Sequence, residues 1–64
     1  MSGLIWRRIA PGRYATGRGW EVRRIGPGAW SLLRWHEERK EWLIFMDTIP
    51  TKTQAMALAD RLLR

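Results

Sequence analysis

Short runs of aromatic and branched apolar residues alternate with glycine and proline as far as Pro50. Leu4–Ile9, Trp20–Ile25, Ala29–His36 and Trp42–Thr48 have the length and composition of β-strands. Arg13–Thr16 is a shorter, fifth candidate. Ala10-Pro11-Gly12, Gly17-Arg18-Gly19 and Gly26-Pro27-Gly28 stand between these runs and read as turns, because glycine reaches positive φ and proline fixes φ at a bend. Glu37-Glu38-Arg39-Lys40 is a polar turn between the last two strands.

The apolar period then changes from two to 3.6. Ala55, Leu58, Ala59 and Leu62 recur at i, i+3, i+4 and i+7, with Met56 and Leu63 beside them, which predicts a helix from about Lys52 to Leu63. Thr51-Lys52-Thr53-Gln54 is a capping-box sequence, in which the Thr51 hydroxyl accepts a backbone N–H that the first helical turn cannot use. Arg61 and Arg64 at the far end suit the helix dipole. The expected fold is therefore α+β. An antiparallel meander of three to four strands precedes one C-terminal helix packed on one sheet face, all within a single small domain, 1–64.

Turn lengths set the pairing. They place Trp35 opposite Trp42, Leu33 opposite Ile44, Ser31 opposite Met46, Val22 opposite Leu32 and Arg23 opposite Ser31. One face then carries Trp20, Val22, Trp30, Leu32, Leu43 and Phe45, with Arg24 and Arg34 toward its edges. The other carries Glu21, Arg23, Leu33, Trp35, Trp42, Ile44 and Met46. Both are apolar, unlike the clean alternation of a sheet with one wetted side. The helix is expected on the first face, with Leu58, Leu62, Leu32 and Phe45 buried together. The second needs a cover of its own: the strand around Trp6, a second copy of the chain, or a binding partner.

Charge sharpens this picture. Up to Trp35 seven arginines stand against one acid, Glu21, while from His36 onward five bases meet five acids, so the whole net charge of +6 belongs to residues 1–35. Trp6, Trp20 and Trp30 are interleaved with those arginines. A positive field mixed with flat rings fits an anionic, ring-bearing polymer. Ten of the twelve basic residues are arginine, which forks onto phosphate and stacks on rings where lysine does not.

Little else in the chain carries chemistry. There is no cysteine, hence no disulfide and no thiolate for zinc. His36 is the single histidine and sits in a polar turn beside two glutamates. No hydroxyl has a base at a recognisable spacing. Gly17-Arg18-Gly19 lacks the lysine and the following helix of a phosphate loop. No run approaches the roughly 20 apolar residues of a membrane span. The expectation is a non-enzymatic cytoplasmic protein with no cofactor, no metal site and no membrane partner.

Several residues resemble a known group. Val22-Arg23-Arg24 on one strand, Gly28-Ala29-Trp30 opening the next, Glu41-Trp42-Leu43 opening the last, and the helix entry Ile49-Pro50-Thr51 with Ala55 and Asp60 are similar to the three-stranded-sheet-plus-helix DNA-binding domains of plant ethylene-response factors and of phage integrase arm-site-binding domains. The resemblance covers about residues 20–62. It implies contact with the major groove through the sheet face away from the helix, with Arg23, Arg24, Trp30 and Trp42 in the contacting positions. The second strand here lacks the Glu and Arg that this group places after its tryptophan. The chain also resembles small proteins of actinobacteria and their phages, which implies a phage or mobile-element origin.

The functional expectation joins these readings. Duplex DNA would be gripped by a basic, tryptophan-containing sheet surface, with Arg7, Arg8, Arg13, Arg18, Arg23 and Arg24 on the nucleic acid. Trp35, Trp42, Ile44 and Met46 would form a stacking or interface patch. The rival is a protein-interaction module, a homodimer or an inhibitor of a host protein, that uses the same apolar face.

Overall fold

A computed structural model describes residues 4–62. Its strands are β1 (Arg7–Ala10), β2 (Arg13–Ala15), β3 (Trp20–Gly26), β4 (Ala29–His36) and β5 (Glu41–Ile49), followed by the helix α1 (Lys52–Leu62). The strands form one antiparallel sheet in the order β1-β2-β3-β4-β5, a plain meander. The class is the expected α+β, but the sheet has five strands rather than three to four. The short Arg13–Ala15 segment is a full member, held between β1 and β3. The residues expected in the helix at Leu63 and beyond it at Arg64 lie outside the described residues.

The turns follow from their residues. Pro27-Gly28 joins the pair Gly26 and Ala29, with proline at the first central position and glycine at φ 62° at the second. Pro11-Gly12 joins Ala10 and Arg13 in the same way, and Gly12, at φ 74°, accepts the Arg24 N–H at 2.7 Å. A side chain on Gly12 would meet the Arg24 Cβ at 3.2 Å, so both conformation and space call for glycine there. The four-residue turn from Glu37 to Lys40 closes with Lys40 at φ 54°.

Register agrees with expectation over most of the sheet. Trp35 faces Trp42, Leu33 faces Ile44, Val22 faces Leu32 and Arg23 faces Ser31. The pairing of Ser31 with Met46 does not form. Irregularities in the β4–β5 ladder put Met46 opposite Leu32 and Ile49 opposite Trp30. Each extra residue in β5 moves the rest of that strand by one position relative to β4. Thr48 lies within the second irregular stretch at φ 57°, a conformation that a β-branched residue adopts only under strain. Met46 therefore leaves the face of Ile44, where the regular count had put it.

The core lies on one side of the sheet. Trp20, Val22, Leu32 and Ile49 from the strands meet Ala55 and Ala59 from α1, with Leu4, Trp6, Trp30, Met56 and Leu58 around them. Burying the Trp20 ring alone is worth about 4–6 kcal/mol by transfer, an upper figure for a real unfolded chain. The Thr51 hydroxyl accepts the Gln54 N–H at 3.1 Å, the expected cap, which contributes about 1 kcal/mol. The segment before β1 runs along the helix side: Leu4 donates its N–H to Asp60 at 3.0 Å, and Trp6 packs on the core. Trp6 is thus not the cover of the opposite sheet face.

Two expected core residues are not in the core. Leu62 is 44% exposed and Phe45 48% exposed, although the Phe45 ring meets the edge of Trp20 at 5.6 Å. The helix approaches through its alanines, over β3 and β4, and the irregular stretch of β5 holds Phe45 outside its footprint. Ala59→Leu is expected to cost about 1–3 kcal/mol by overpacking. Leu62→Ala should cost under about 1 kcal/mol, since little apolar area is lost there. Thermal melts followed by circular dichroism will show this order; the reverse order would mean that the helix is docked through its leucines.

Candidate nucleic-acid interface

The helix leaves one sheet face open, and the cross-strand rows fix what that face carries. One row runs Arg7, Ala15, Glu21, Leu33, Ile44 from β1 to β5; the next runs Arg13, Arg23, Ser31; Trp35 and Trp42 pair at the end near the β4–β5 turn. Glu21 is 1% exposed, and Ser31 and Leu33 are also buried, although α1 packs on the other side of the sheet.

Glu21 is the charge centre of this face. Its Oε2 accepts the Arg13 Nε–H at 2.9 Å and the Arg23 Nε–H at 3.1 Å, and the Arg23 Nη2 lies 3.0 Å away. The two arginine side chains remain 42% and 38% exposed. One buried anion is thus shared by two half-exposed cations. Beyond Arg23 in the same row, the Ser31 hydroxyl is buried without a hydrogen-bond partner among the described residues.

The six arginines expected on nucleic acid do not share one surface. Arg7, Arg13 and Arg23 lie on the open face. Arg8, opposite Tyr14, and Arg24, opposite Trp30, lie in rows on the helix side. Arg18 sits in the β2–β3 turn, where its backbone N–H bonds the Thr16 hydroxyl at 3.0 Å. The side chains of Arg7, Arg8 and Arg18 make no ion pair or hydrogen bond among the described residues. Arg34 is otherwise engaged, 4.8 Å over the Trp20 ring.

Charges around the β4–β5 turn neutralise one another. Arg39 pairs with Glu41 at 2.7 Å and Lys40 with Glu37, all four around the β4–β5 turn. Positive charge without a partner is left toward β1–β3.

Trp35 and Trp42 form an edge-to-face pair, 5.5 Å between ring centroids at 66°. This geometry suits the ring quadrupoles and leaves the rings at an angle, not as one flat shelf. The Trp35 indole donates to the Glu37 carboxylate at 3.0 Å. Ile44 beside them is 62% exposed. Met46 belongs with Leu32 in register and does not extend this patch. A shallow depression at the same end is bounded by Arg34, Trp35, His36, Leu43, Ile44 and Phe45.

Sequence reasoning missed two features. The role of Glu21 had a signal: it is the lone acid among the first seven arginines. The exposure of Ile5, at 82%, and of Ile9 had a weaker one: Ile5, Arg7 and Ile9 recur at period two, so an arginine shares the side of both isoleucines. Among the described residues no group of three or more His, Cys, Asp and Glu side chains could hold a metal ion. Among the described residues no helix is long and apolar enough to cross a membrane. Comparison with protein-family models, with curated proteins and with solved structures finds no match.

The Lys40 ammonium and then the Trp35 indole N–H hold the Glu37 carboxyl below its ordinary pKa of 4.5. The sign follows from which form is bonded: the carboxylate accepts both donors and the acid does not, so the tether on Trp35 persists above the ordinary carboxylate range and is lost as pH falls through the lowered value. Tryptophan emission should therefore change at a pH below 4.5, and Glu37→Gln should remove that step. An unchanged step in the variant would show that Glu37 does not hold the ring in solution.

Proposed function

We propose that this chain is a non-enzymatic nucleic-acid-binding protein that grips duplex DNA with the sheet face opposite the helix. The observation that carries the reading is the coincidence of two facts on one surface. The whole net charge of +6 belongs to residues 1–35, and the face that the helix leaves open carries Arg7, Arg13 and Arg23 with a tryptophan pair at one end. Arginine forks match phosphate geometry and displace counterions from the backbone.

Dimensions shape how the face would dock. Five strands spaced about 4.8 Å apart span roughly 19 Å. The major groove is about 12 Å wide, so the whole sheet does not enter it. The face lies across the groove instead. Arg7, Arg13 and Arg23 meet phosphates on one rim, Arg18 flanks them from its turn, and the narrower β4–β5 hairpin reaches inward with Trp35 and Trp42. Arg8 and Arg24, on the helix side, add to the attracting field rather than to contact.

A second reading has its own support. Ile5, Ile9, Ile25 and Ile44 are all more than half exposed, and isoleucine does not read phosphates. A homodimer or a complex with a host protein would cover them, with the charge serving solubility.

Salt separates the two. Duplex binding should weaken steeply as salt rises, and Arg7→Gln or Arg23→Gln should each lower the slope of log affinity against log salt by about one. Arg61→Gln, on the helix, should change it far less. Titrations by fluorescence anisotropy give these slopes. Failure to bind either duplex or single-stranded DNA at about 50 mM salt, where screening is weak, would leave the interaction module as the reading.

A further inference from the structure

Glu21 is the least expected residue on the open face. A carboxylate buried in a face otherwise suited to anions weakens the field that the arginines supply. Removing it would make the chain more basic and, by charge alone, a better ligand for phosphate. Its burial is also not explained by stability, since a buried ion pair seldom outweighs its desolvation. What such an arrangement does provide is geometry.

We propose that Arg13, Glu21 and Arg23 form a preorganised subsite for one backbone phosphate of duplex DNA, with Glu21 as its positioning residue. The proposal rests on the DNA reading above and names where on that face a phosphate sits. Arg13 and Arg23 are directly opposite each other on β2 and β3, and both Nε–H groups converge on the same oxygen of Glu21. Bonding through Nε, with the Arg23 Nη2 also 3.0 Å from the same oxygen, fixes the plane of each guanidinium and leaves both Nη groups of Arg13 and the Nη1 of Arg23 without a partner among the described residues. Neither side chain makes another hydrogen bond among the described residues, and both stay part-exposed. A free arginine loses rotamer freedom when it clamps a ligand; here that ordering is completed in folding, so binding does not bear it.

Charge balance points to the same ligand. Two guanidinium groups and one carboxylate leave one uncompensated positive charge. A phosphodiester monoanion, placed between the outer N–H groups, cancels it with charge-assisted hydrogen bonds. Arg7 lies in the row of Glu21, across Ala15, and is free of partners among the described residues, so it is placed for the neighbouring phosphate as a mobile contact.

Glu21→Gln tests this because the two accounts predict opposite signs. If charge alone sets affinity, the variant binds duplex more tightly than the wild type. If Glu21 positions the pair, the variant binds more weakly by about tenfold or more, the loss of one charge-assisted contact. Its salt slope also falls by about one despite the added net charge. Circular dichroism checks that the variant folds. Should Glu21→Gln fail to fold, Arg13→Lys and Arg23→Lys carry the test: each keeps its charge and loses the fork, so each should lose several-fold in duplex affinity, with Arg61→Lys as the unaffected comparison. Equal or tighter binding by Glu21→Gln, or lysine variants that match Arg61→Lys, would overturn the subsite while leaving the DNA reading standing. Absence of duplex binding by the wild type would overturn both.

Discussion

One eleven-residue helix has to seal one face of a five-stranded sheet, and it does so through Ala55 and Ala59. Eleven residues of helix are only about 16 Å long, shorter than the sheet is wide. Small residues at the contact let the helix axis come close, so that Trp20, Val22, Leu32 and Ile49 are closed over by a short element. Larger residues, Leu4, Trp6, Trp30, Met56 and Leu58, then fill the margins. Among the described residues there is no second helix for the other face.

That constraint makes the opposite face what it is. Without a helix above them, its central residues are sheltered by the long side chains of their own strands. Glu21 lies beneath Arg13 and Arg23, and Leu33 lies between Glu21 and Ile44 in the same row. Arg7, Arg13 and Arg23 thus share a surface with the Trp35–Trp42 pair and Ile44. Glu37 and Glu41 are matched to Lys40 and Arg39, neighbours close in sequence, so these two acids do not reach across to cancel the charge of those arginines.

Much of this was legible in the sequence where a local rule governs. Thr51 as a cap, a tight hairpin at Gly26-Pro27-Gly28 and the Trp35–Trp42 pairing depend on a few adjacent residues, and all appear in the structure. The departures arise where a local count is carried across a distance. Irregular pairing in β5 displaces Met46 from the face of Ile44 and keeps Phe45 away from the helix, and nothing around Asp47 or Thr48 announces an extra residue. Leu62 was placed in the core by helical period alone, but the period cannot say that the helix docks through its alanines. The arginines show the same limit. Their excess was plain, yet only strand pairing separates Arg7, Arg13 and Arg23 from Arg8 and Arg24. The bridging role of Glu21 needs both of its neighbours in place.

The central claim is that the face away from the helix is the one that meets duplex DNA. The most direct measurement is a two-dimensional nitrogen–proton NMR titration of the folded protein with a short duplex. The account predicts that the indole signals of Trp35 and Trp42 and the backbone signals of Arg7, Arg13 and Arg23 shift first and furthest, while Ala57 and Arg61 on the helix stay in place. Shifts concentrated on α1, or a spectrum that the duplex leaves unchanged at low salt, would contradict it.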